Sequence, residues 1–583
     1  MHNLVLLLAL FFSNFVIVNA TILHVGPGQP YATPAQAAAQ AQPGDSILIH
    51  PHVYSGGNFI SNLHGAPGQY IYFIGLDPAN VIFQGGSQAI HFSQVSYIHL
   101  EGISITGQTA NGINIDDGGT YDTPTHHIRL RACYFYDMGG TGNNDFLKMS
   151  GVDDFWLEAC HFENGAAGGS GIDMVGCHNG IIQMCSFKSM GANAIQAKGG
   201  TQYISILQNI FEDAGLRSLN LGGNTDLAFF RPQDAPFEAA DMNIYANVFT
   251  GSWAPIAYVG CVRVHVWNNT IILPQNWIIR ILQEHVDPDR FVPCGDNSFV
   301  NNIIYYDASI STHVNIGPHT DPQSFLFAHN LWFRYTQPAQ STPGLPVMEI
   351  NGIYGEDPSF VNYTVGDYRL SAGSPAIDTG MEGAFELDFD GQLVPQGDAP
   401  DMGAFEFPVA LDLELLFFDV RHGDETTAEV EYAFSSSLTN YNVTLQRADH
   451  EMKWTAIDVQ TFEGASSNRA RIKDIIPQHG LFYYRLYVDA IDGFNMISPI
   501  RVLNFQQAQV WKLYPNPCRH YFHLQGSVDG QLMKVWNMQG HLIFQKTLPK
   551  NGEASIEIDV ENWLSGSYLI EIGEDLLFIL VTR

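Results

Sequence analysis

The sequence predicts an all-β protein in which a right-handed parallel β-helix is followed by a β-sandwich module and a small C-terminal β-sandwich. Two observations carry most of this prediction. Similar stretches recur along residues 133–330 at steps of 22 to 38 residues, the size of one solenoid coil with loops of variable length. Residues 408–507 then alternate apolar and polar side chains in short runs, as sandwich strands do.

One position of the repeat is occupied first by cysteine and then by asparagine. The column contains Cys133, Cys160, Cys185, Asn209, Asn247, Asn269, Asn302 and Asn330. An apolar residue follows two positions later in each coil, which is strand spacing. Stacked coils place like residues roughly 4.8 Å apart, so we expect the asparagines to hydrogen-bond along the stack at a β-helix turn. The cysteines are interpreted as small buried filler, and the odd total of seven leaves at least one unpaired.

The chain begins with an apolar run, residues 1–20, that ends in Val18-Asn19-Ala20. This pattern is typical of a secretory signal peptide cleaved before Thr21. No later segment approaches the ~20 apolar residues that cross a bilayer. We therefore expect an exported chain without a transmembrane segment.

Residues 21–407 form the predicted β-helix, and a short helix is expected near its start. Thr33 is a good N-cap, Pro34 fits the first helical position, and alanine and glutamine follow. Such a helix would cover the open end of the first coil. This opening, "ATPAQAAAQAQPGD" followed by "SILIHPHVYSGG", resembles that of many pectate-lyase-like β-helix proteins.

Residues 366–407 resemble the closing segment of many secreted bacterial β-helix proteins. This segment contains four aspartates, Asp388, Asp390, Asp398 and Asp401. Carboxylates are calcium ligands, but an acidic surface loop is the favoured interpretation of this group.

Two further modules follow the coils. Residues 408–507 look like a fibronectin type III or Ig-like module that acts as a spacer. Residues 508–583 contain "YPNP" at 514–517, Gly540 and "LSGSY" at 564–568, which resemble the type IX secretion C-terminal sorting domain of Bacteroidetes. That resemblance implies export by the type IX secretion machinery through the periplasm and outer membrane, followed by attachment to the cell surface or release.

The net charge of −33 excludes nucleic acid as a partner, because like charges repel. The same repulsion acts on a polyuronate, so an anionic polysaccharide would need a local basic patch or bridging calcium. We expect the exported protein to be a monomer.

A second strand of the repeat, upstream of the cysteine and asparagine column, has a polar outward face. Period-two alternation directs one residue of each coil outward in this strand: Lys148, Asp173, Gln196, Asn220, Ala257 and Arg280. The preceding turn supplies Asp145, Arg217 and Trp277, and Lys198 follows the strand in its own coil. The long loop after Asn220 brings Arg231. This face is predicted to bind substrate, with Trp277 suited to stacking on a sugar ring.

Lys198, Asn209, Phe211, Gly215 and Arg217 form an arrangement that looks like that of alginate- and chondroitin-lyase-type β-helices. This resemblance implies Lys198 as catalytic base and Arg217 as acid or carboxylate partner. The implied reaction is β-elimination on a uronate-containing polysaccharide. The acidic trio at those lyases' calcium positions has no clear counterpart, and the nearest candidate metal ligands are Asp145, Asp153 and Asp154.

Three alternatives stand beside the lyase. A glycoside hydrolase would use paired carboxylates, for which Asp153 and Asp154 are the candidates. A non-catalytic glycan-binding protein or adhesin would use the same fold as a scaffold. In a purely structural interpretation, Lys198 caps the Gly199-Gly200 turn and Arg217 pairs with Glu212 or Asp213.

Overall fold

The computed structural model describes most of the chain from residue 20 onwards. The described ranges are 20–120, 123–383, 385–408, 413–424, 427–436, 440–448, 453–463, 466–476, 480–490, 495–505, 512–514, 518–529, 532–537, 542–548, 550–560, 563, 566–572 and 575–581. The predicted signal peptide lies outside these residues except for Ala20, and Gly540 and parts of the two C-terminal motifs also lie outside them.

Three long parallel sheets run along residues 22–354 and confirm the predicted β-helix. Sheet 1 contains the strands Ile22–Val25, Ser46–Ile49, Ile71–Gly75, Ser96–Glu101, Thr125–Arg131, Val152–Glu158, His178–Gln183, Thr201–Leu207, Ala239–Tyr245, Cys261–Trp267, Ser298–Val300 and Leu326–Ala328. Sheet 2 contains His52–Ser55, Val81–Gln84, Ser104–Thr106, Tyr134–Tyr136, His161–Glu163, Ser186–Met190, Ile210–Ala214, Val248–Thr250, Thr270–Ile272, Ile303–Tyr306, Leu331–Arg334 and Ile353–Tyr354. Sheet 3 contains Asn58–Ser61, Ile90–Ser93, Ile113–Asp116, Leu147–Ser150, Ser170–Val175, Asn193–Lys198, Arg217–Gly222, Ile256–Val259, Ile279–Leu282 and Val314–Ile316.

Each complete coil contributes one strand to each sheet, the coils at the two ends lack a strand of sheet 3, and the inward side chains of all three sheets form one apolar core. Five phenylalanines of sheet 2 stack face to face through this core, with ring centroids 4.6 to 5.0 Å apart: Phe135, Phe162, Phe187, Phe211 and Phe249. The apolar residues predicted two positions after the cysteine and asparagine column therefore form a continuous aromatic stack in the first five of these coils.

The asparagine ladder is present as predicted. The side-chain amide of each asparagine donates to the Oδ1 atom of the next, at 2.9 to 3.0 Å, from Asn209 to Asn330. All five side chains are fully buried. The last amide, on Asn330, donates to Glu349 at 2.7 Å, so a carboxylate ends the ladder.

All seven cysteines are buried, and none of them is joined in a disulfide. Cys185 connects its column to the ladder, because its backbone N–H donates to Asn209 Oδ1 at 2.9 Å. The cysteines are therefore core residues of the coils, with Cys518 in the C-terminal core.

The predicted capping helix spans Pro34–Ala38, and the Thr33 side chain accepts from the Gln36 backbone N–H. Other helical turns are short: Leu227–Phe229, Pro322–Ser324, Pro338–Gln340 and Tyr363–Val365. None of the helices in the described ranges is long and apolar enough to cross a membrane.

The closing segment follows an antiparallel pair, Phe360–Asn362 and Asp367–Leu370. Asp390 and Asp398 are exposed, as a surface loop requires. For Asp388 and Asp401 that interpretation is wrong, because they are only 4% and 3% exposed and their carboxylates accept backbone N–H groups of the segment itself. These carboxylates therefore hold the closing segment in shape.

Antiparallel sheets form both C-terminal modules. The first pairs Leu413–Asp424, Thr427–Ser436 and Ser466–Ile475 in one sheet, and Asn440–Ala448, Thr455–Glu463, Gly480–Ala490, Asn495–Ile497 and Arg501–Phe505 in the other. The second pairs Lys512–Tyr514, Tyr521–Asp529 and Lys550–Asp559, and separately Leu532–Asn537, Leu542–Thr547, Gly566–Ile572 and Asp575–Val581. Each module has its own apolar core, which agrees with the predicted sandwiches.

Candidate functional site

The outward strip predicted from the sequence lies along sheet 3. Strand register pairs Lys148 with Asp173, then continues through Gln196, Asn220 and Ala257 to Arg280. The strip is polar because its strands alternate, with the neighbours of Lys148, Leu147 and Met149, fully buried in the core. We call this row of side chains the outward strip.

Two lysines converge on one buried carboxylate in the outward strip. Asp173 is 1% exposed, and its Oδ2 atom accepts a hydrogen bond from Lys148 Nζ. Lys198 Nζ lies 3.3 Å from the same oxygen. Asp145, from the turn before the strand, places its Oδ2 atom 3.9 Å from Lys148 Nζ. We call these four side chains the lysine cluster.

The charges of the lysine cluster depend on one another. Burial, and then the neighbouring Asp173 carboxylate, raise the pKa of Asp145 to about 6. Burial alone would lower the pKa of Lys148, but Asp173 and Asp145 outweigh it and raise that pKa above its ordinary value. The second oxygen of Asp173, Oδ1, is buried and has no hydrogen-bond partner among the described residues. The two carboxylates of the cluster therefore hold its lysines in place.

The long loop after Asn220 walls a cavity of about 640 Å³ above the lysine cluster. The cavity is lined by Asp117, Gly119, Lys148, Ser150, Gly151, Val175, Lys198, Asn224, Thr225, Asp226, Ala228, Phe229 and Arg231. Its size falls in the range of small-molecule sites. The loop therefore makes a groove of the outward strip at Lys148 and Lys198.

Arg231, predicted to bind substrate, lies in the wall of this cavity and anchors the loop. Its guanidinium donates to both carboxylate oxygens of Asp153, at 2.7 and 2.6 Å, and to the Gly176 carbonyl at 2.9 Å. Burial would raise the pKa of Asp153, but Arg231 and His178 lower it to about 2. The bidentate pair ties the loop to sheet 1.

Arg217 and Arg280 follow the lysine cluster along sheet 3. Arg217 Nε donates to Asn193 Oδ1 at 3.3 Å, and Arg280 Nε donates to Asn315 Oδ1 at 3.3 Å. The Arg280 guanidinium lies 4.8 Å from the centre of the Trp277 ring. Burial lowers the pKa of both arginines, and Arg217 lowers that of Arg280 further.

Lys198 and Arg217 do not make the contacts that the purely structural interpretation gives them. Glu212 pairs with Lys188 at 3.2 Å, and Asp213 accepts from Gln275 at 2.7 Å, so Arg217 pairs with neither acid. The Lys198 ammonium points to Asp173 rather than to the glycine turn.

The remaining candidate carboxylates do not meet. Asp153 is held by Arg231, and Asp154 Oδ2 lies 3.7 Å from His127 Nδ1 on sheet 1. Lys148 lies against both Asp145 and Asp173. Within the described part of the chain, no three His, Cys, Asp or Glu side chains could hold a metal ion. The candidate ligands Asp145, Asp153 and Asp154 therefore do not come together as one calcium site.

The outward strip also extends upstream, where the sequence did not indicate it. Register places Phe59, His91 and Asn114 in line with Lys148. His91 Nε2 lies 2.5 Å from Asp116 Oδ2, and the Asn114 amide donates to the same oxygen at 2.7 Å. The upstream strands lack the closing glycine that aligned the later coils, although their period-two alternation was a usable signal.

Two family models match the chain. Residues 88–271 match the right handed beta helix region, and residues 512–579 match the secretion system C-terminal sorting domain. No curated protein sequence matches the chain.

Solved structures with similar coils include three enzymes. Pectate lyase Pel9A is 16% identical over 67% of this chain and 98% of its own, with a TM-score of 0.44. Alginate lyase from Paenibacillus sp. str. FPU-7 is 14% identical over 53% of this chain and 99% of its own, with a TM-score of 0.31. Endo-xylogalacturonan hydrolase from Aspergillus tubingensis is 11% identical over 57% of this chain and 100% of its own, with a TM-score of 0.32.

The sorting domain indicates export by the type IX route, with attachment to the cell surface or release as the outcome. Three continuous parallel sheets and the matching family model identify the larger part of the chain. The chain is therefore an exported right-handed parallel β-helix protein that carries a type IX secretion C-terminal sorting domain.

Proposed function

We propose that the protein acts on an anionic polysaccharide and cleaves it by β-elimination beside a uronate. The observation that carries this proposal is the lysine cluster, in which Lys148 and Lys198 share the buried Asp173 at the floor of a walled groove. A chain with a net charge of −33 has concentrated cations on this face. Local positive charge is what an anionic sugar requires of such a chain.

Lys198 is the proposed base. Lys148 takes the direct hydrogen bond to Asp173, and Lys198 makes only the longer contact of 3.3 Å. Lys198 also lines the cavity. In its neutral form, this amine takes the proton from the carbon beside the sugar carboxylate; the carbon–oxygen bond to the leaving sugar breaks and a carbon–carbon double bond forms.

Arg217 is the proposed partner of the sugar carboxylate. The described residues offer its guanidinium one long contact with Asn193 and no carboxylate within 4.0 Å. Neutralising the uronate carboxylate makes the neighbouring proton more acidic, because the charge that develops in the transition state is stabilised. The electron pair released to the leaving oxygen is then protonated from Arg217 or from water.

A hydrolase is the second candidate, supported by Asp145. Asp145 has a pKa of about 6 and lies beside the Asp173 carboxylate. Glycosidases also use two carboxyl groups, of which one stays protonated near neutral pH and acts as the acid. The pair first considered, Asp153 and Asp154, is less suited to this role. Asp153 is committed to Arg231, and a carboxyl with a pKa of about 2 cannot act as general acid near neutral pH.

The test uses the purified full chain with alginate, pectate, chondroitin and hyaluronan as separate substrates. Ultraviolet absorbance detects unsaturated ends, and a reducing-end assay counts all cleavages. We expect unsaturated product from at least one polymer, and Lys198→Ala to lower its rate about 100-fold or more. Lys188→Ala, an exposed lysine paired with Glu212 on sheet 2, is the matched control and should keep full activity. Reducing ends without unsaturation would instead support the hydrolase.

A further inference from the structure

We infer that Arg280 forms a second carboxylate-binding site next to Arg217, so that the groove holds a further uronate of the same polysaccharide downstream of the lysine cluster. This inference rests on the proposed function and extends it from the reacting sugar, whose carboxylate Arg217 holds, to the length and charge pattern of the substrate. We call Arg280 and Trp277 the arginine site.

The two arginines are near enough to interact and far enough apart to bind the carboxylates of two sugar residues. Arg280 lies two coils beyond the coil of Arg217, roughly 10 Å along the stack. On the intervening coil, Ala257 occupies the register of Arg280 and is the smallest side chain of the outward strip, so no long side chain lies beside Arg280 at this position.

Both guanidiniums lack an acidic partner. Within the described residues, no carboxylate lies within 4.0 Å of either, and each has only one long hydrogen bond, to an asparagine. Other half-buried arginines in this protein are paired, such as Arg231 with Asp153 and Arg447 with Asp474. A half-buried cation without a counter-ion is unfavourable, and a bound carboxylate would supply that counter-ion.

The acid Glu284 does not fill this role. Burial lowers the pKa of both arginines more than the negative charge of Glu284 raises it, and Glu284 is exposed and makes no ion pair within 4.0 Å with either guanidinium in the described chain. Burial remains the largest effect on both groups and lowers their pKa.

Neighbouring side chains fit a sugar rather than a small free anion. Trp277 lies under Arg280, and Trp253 meets Trp277 edge to face with ring centroids 6.3 Å apart. Trp253 is 45% exposed. Asn220, which lies in the register of Arg280, has a buried Oδ1 atom without a hydrogen-bond partner in the described chain. An aromatic surface, an acceptor for a hydroxyl group and a guanidinium that can donate to a carboxylate together match a uronic acid residue.

The opposite end of the outward strip lacks this charge pattern. At that end His91 lies against the Asp116 carboxylate, and the exposed aromatic side chain is Phe59. We therefore assign the additional uronate to the side of Arg280.

The test measures binding by calorimetry with the full chain carrying Lys198→Ala, which prevents turnover. The probes are the dimer and tetramer of galacturonate, the same two lengths of mannuronate, and cellotetraose as a neutral tetramer. We expect one uronate tetramer to bind at least 10-fold more tightly than its dimer, and Arg280→Ala to remove about 10- to 100-fold of the tetramer affinity while leaving the dimer unchanged.

Two further variants separate charge from folding. Arg280→Lys retains the charge and should recover part of the affinity, whereas Arg263→Ala removes an exposed arginine that pairs with Asp241 on sheet 1 and should change nothing. Equal tetramer affinity with and without Arg280, equal binding of cellotetraose, or no binding of any uronate would each overturn the arginine site.

The outcome is distinguishable from failure of the proposed function. Arg280-dependent binding with no unsaturated product from the unsubstituted chain would retain the arginine site and reject the lyase. If unsaturated product forms, and neither its rate of formation nor the dependence of that rate on substrate length changes in Arg280→Ala, the lyase is retained and the arginine site is rejected.

Discussion

Lys198 Nζ lies 3.3 Å from Asp173 Oδ2, an oxygen that also accepts a hydrogen bond from Lys148. One carboxylate, 1% exposed, thus positions two amines from different coils. Asp173→Asn removes its charge and leaves two half-buried ammonium groups facing each other. We expect the free energy of unfolding of the β-helix to fall by about 3 kcal/mol, measured by calorimetry, and activity to fall with it.

The control for this change is Asp241→Asn, which removes the charge of a half-buried partner of the exposed Arg263 on sheet 1. It should change stability by less than about 1 kcal/mol. Equal effects of the two substitutions would contradict the structural importance of Asp173.

The asparagine ladder gives a second prediction. Asn269 is fully buried; it accepts from the Asn247 amide at 2.9 Å and donates to Asn302 at 3.0 Å. Asn269→Ala breaks both links and leaves buried polar groups unpaired, so we expect a loss of about 3 to 4 kcal/mol. Denaturant unfolding followed by circular dichroism measures it.

The exposed Asn224, in the loop that walls the cavity, is the matched control. Asn224→Ala should leave the midpoint unchanged. A ladder variant as stable as this control would show that the stacked amides contribute little.

The Arg231 and Asp153 pair is predicted to hold the loop closed. Arg231→Ala removes two charge-assisted hydrogen bonds at 2.7 and 2.6 Å, which frees residues 224–231 from sheet 1. Hydrogen exchange in this segment should rise, and KM should increase several-fold with a smaller change in kcat. Unchanged exchange in the loop would mean that other contacts hold it.

The closing segment predicts a pH dependence of stability. Burial raises the pKa of Asp388 and Asp401 to about 6 and that of Glu406 to about 8. Because these folded-state values exceed the ordinary ones of about 4, the folded state binds extra protons. Their contribution to stability is complete below pH 4 and is lost as pH rises through 6 and then 8.

Thermal unfolding of the β-helix between pH 5 and 9 measures this effect. The melting temperature should fall toward pH 9, and Glu406→Gln should flatten the slope between pH 6 and 8 because that position no longer titrates. A melting temperature that rises over this interval has the opposite sign and would contradict the assignment.

The repeat predicted the coils well because the residues that stack from one coil to the next recur at a fixed position in each coil. Asn209 and Phe211 recur at fixed spacing, and an alternating strand fixes which neighbours face outward. The proximity of Lys148 and Lys198 followed from that register, but their shared use of Asp173 did not, since it depends on side-chain reach across three coils.

Contacts between distant segments escaped the sequence analysis. Arg231 was expected to bind substrate, and its pairing with Asp153, 78 residues away, depends on how the loop folds back. Asp388 and Asp401 were expected at the surface because aspartate is usually exposed, whereas here the backbone of the closing segment satisfies them. Such pairings are tertiary and leave no period in the sequence.

The most direct test of the central claim is the ratio of unsaturated ends to new reducing ends during digestion of a polyuronate by the full chain. β-Elimination by Lys198 predicts one unsaturated end for each cleavage, and loss of both signals together in Lys198→Ala. Cleavage that yields reducing ends without unsaturation, or that survives Lys198→Ala undiminished, would contradict the account.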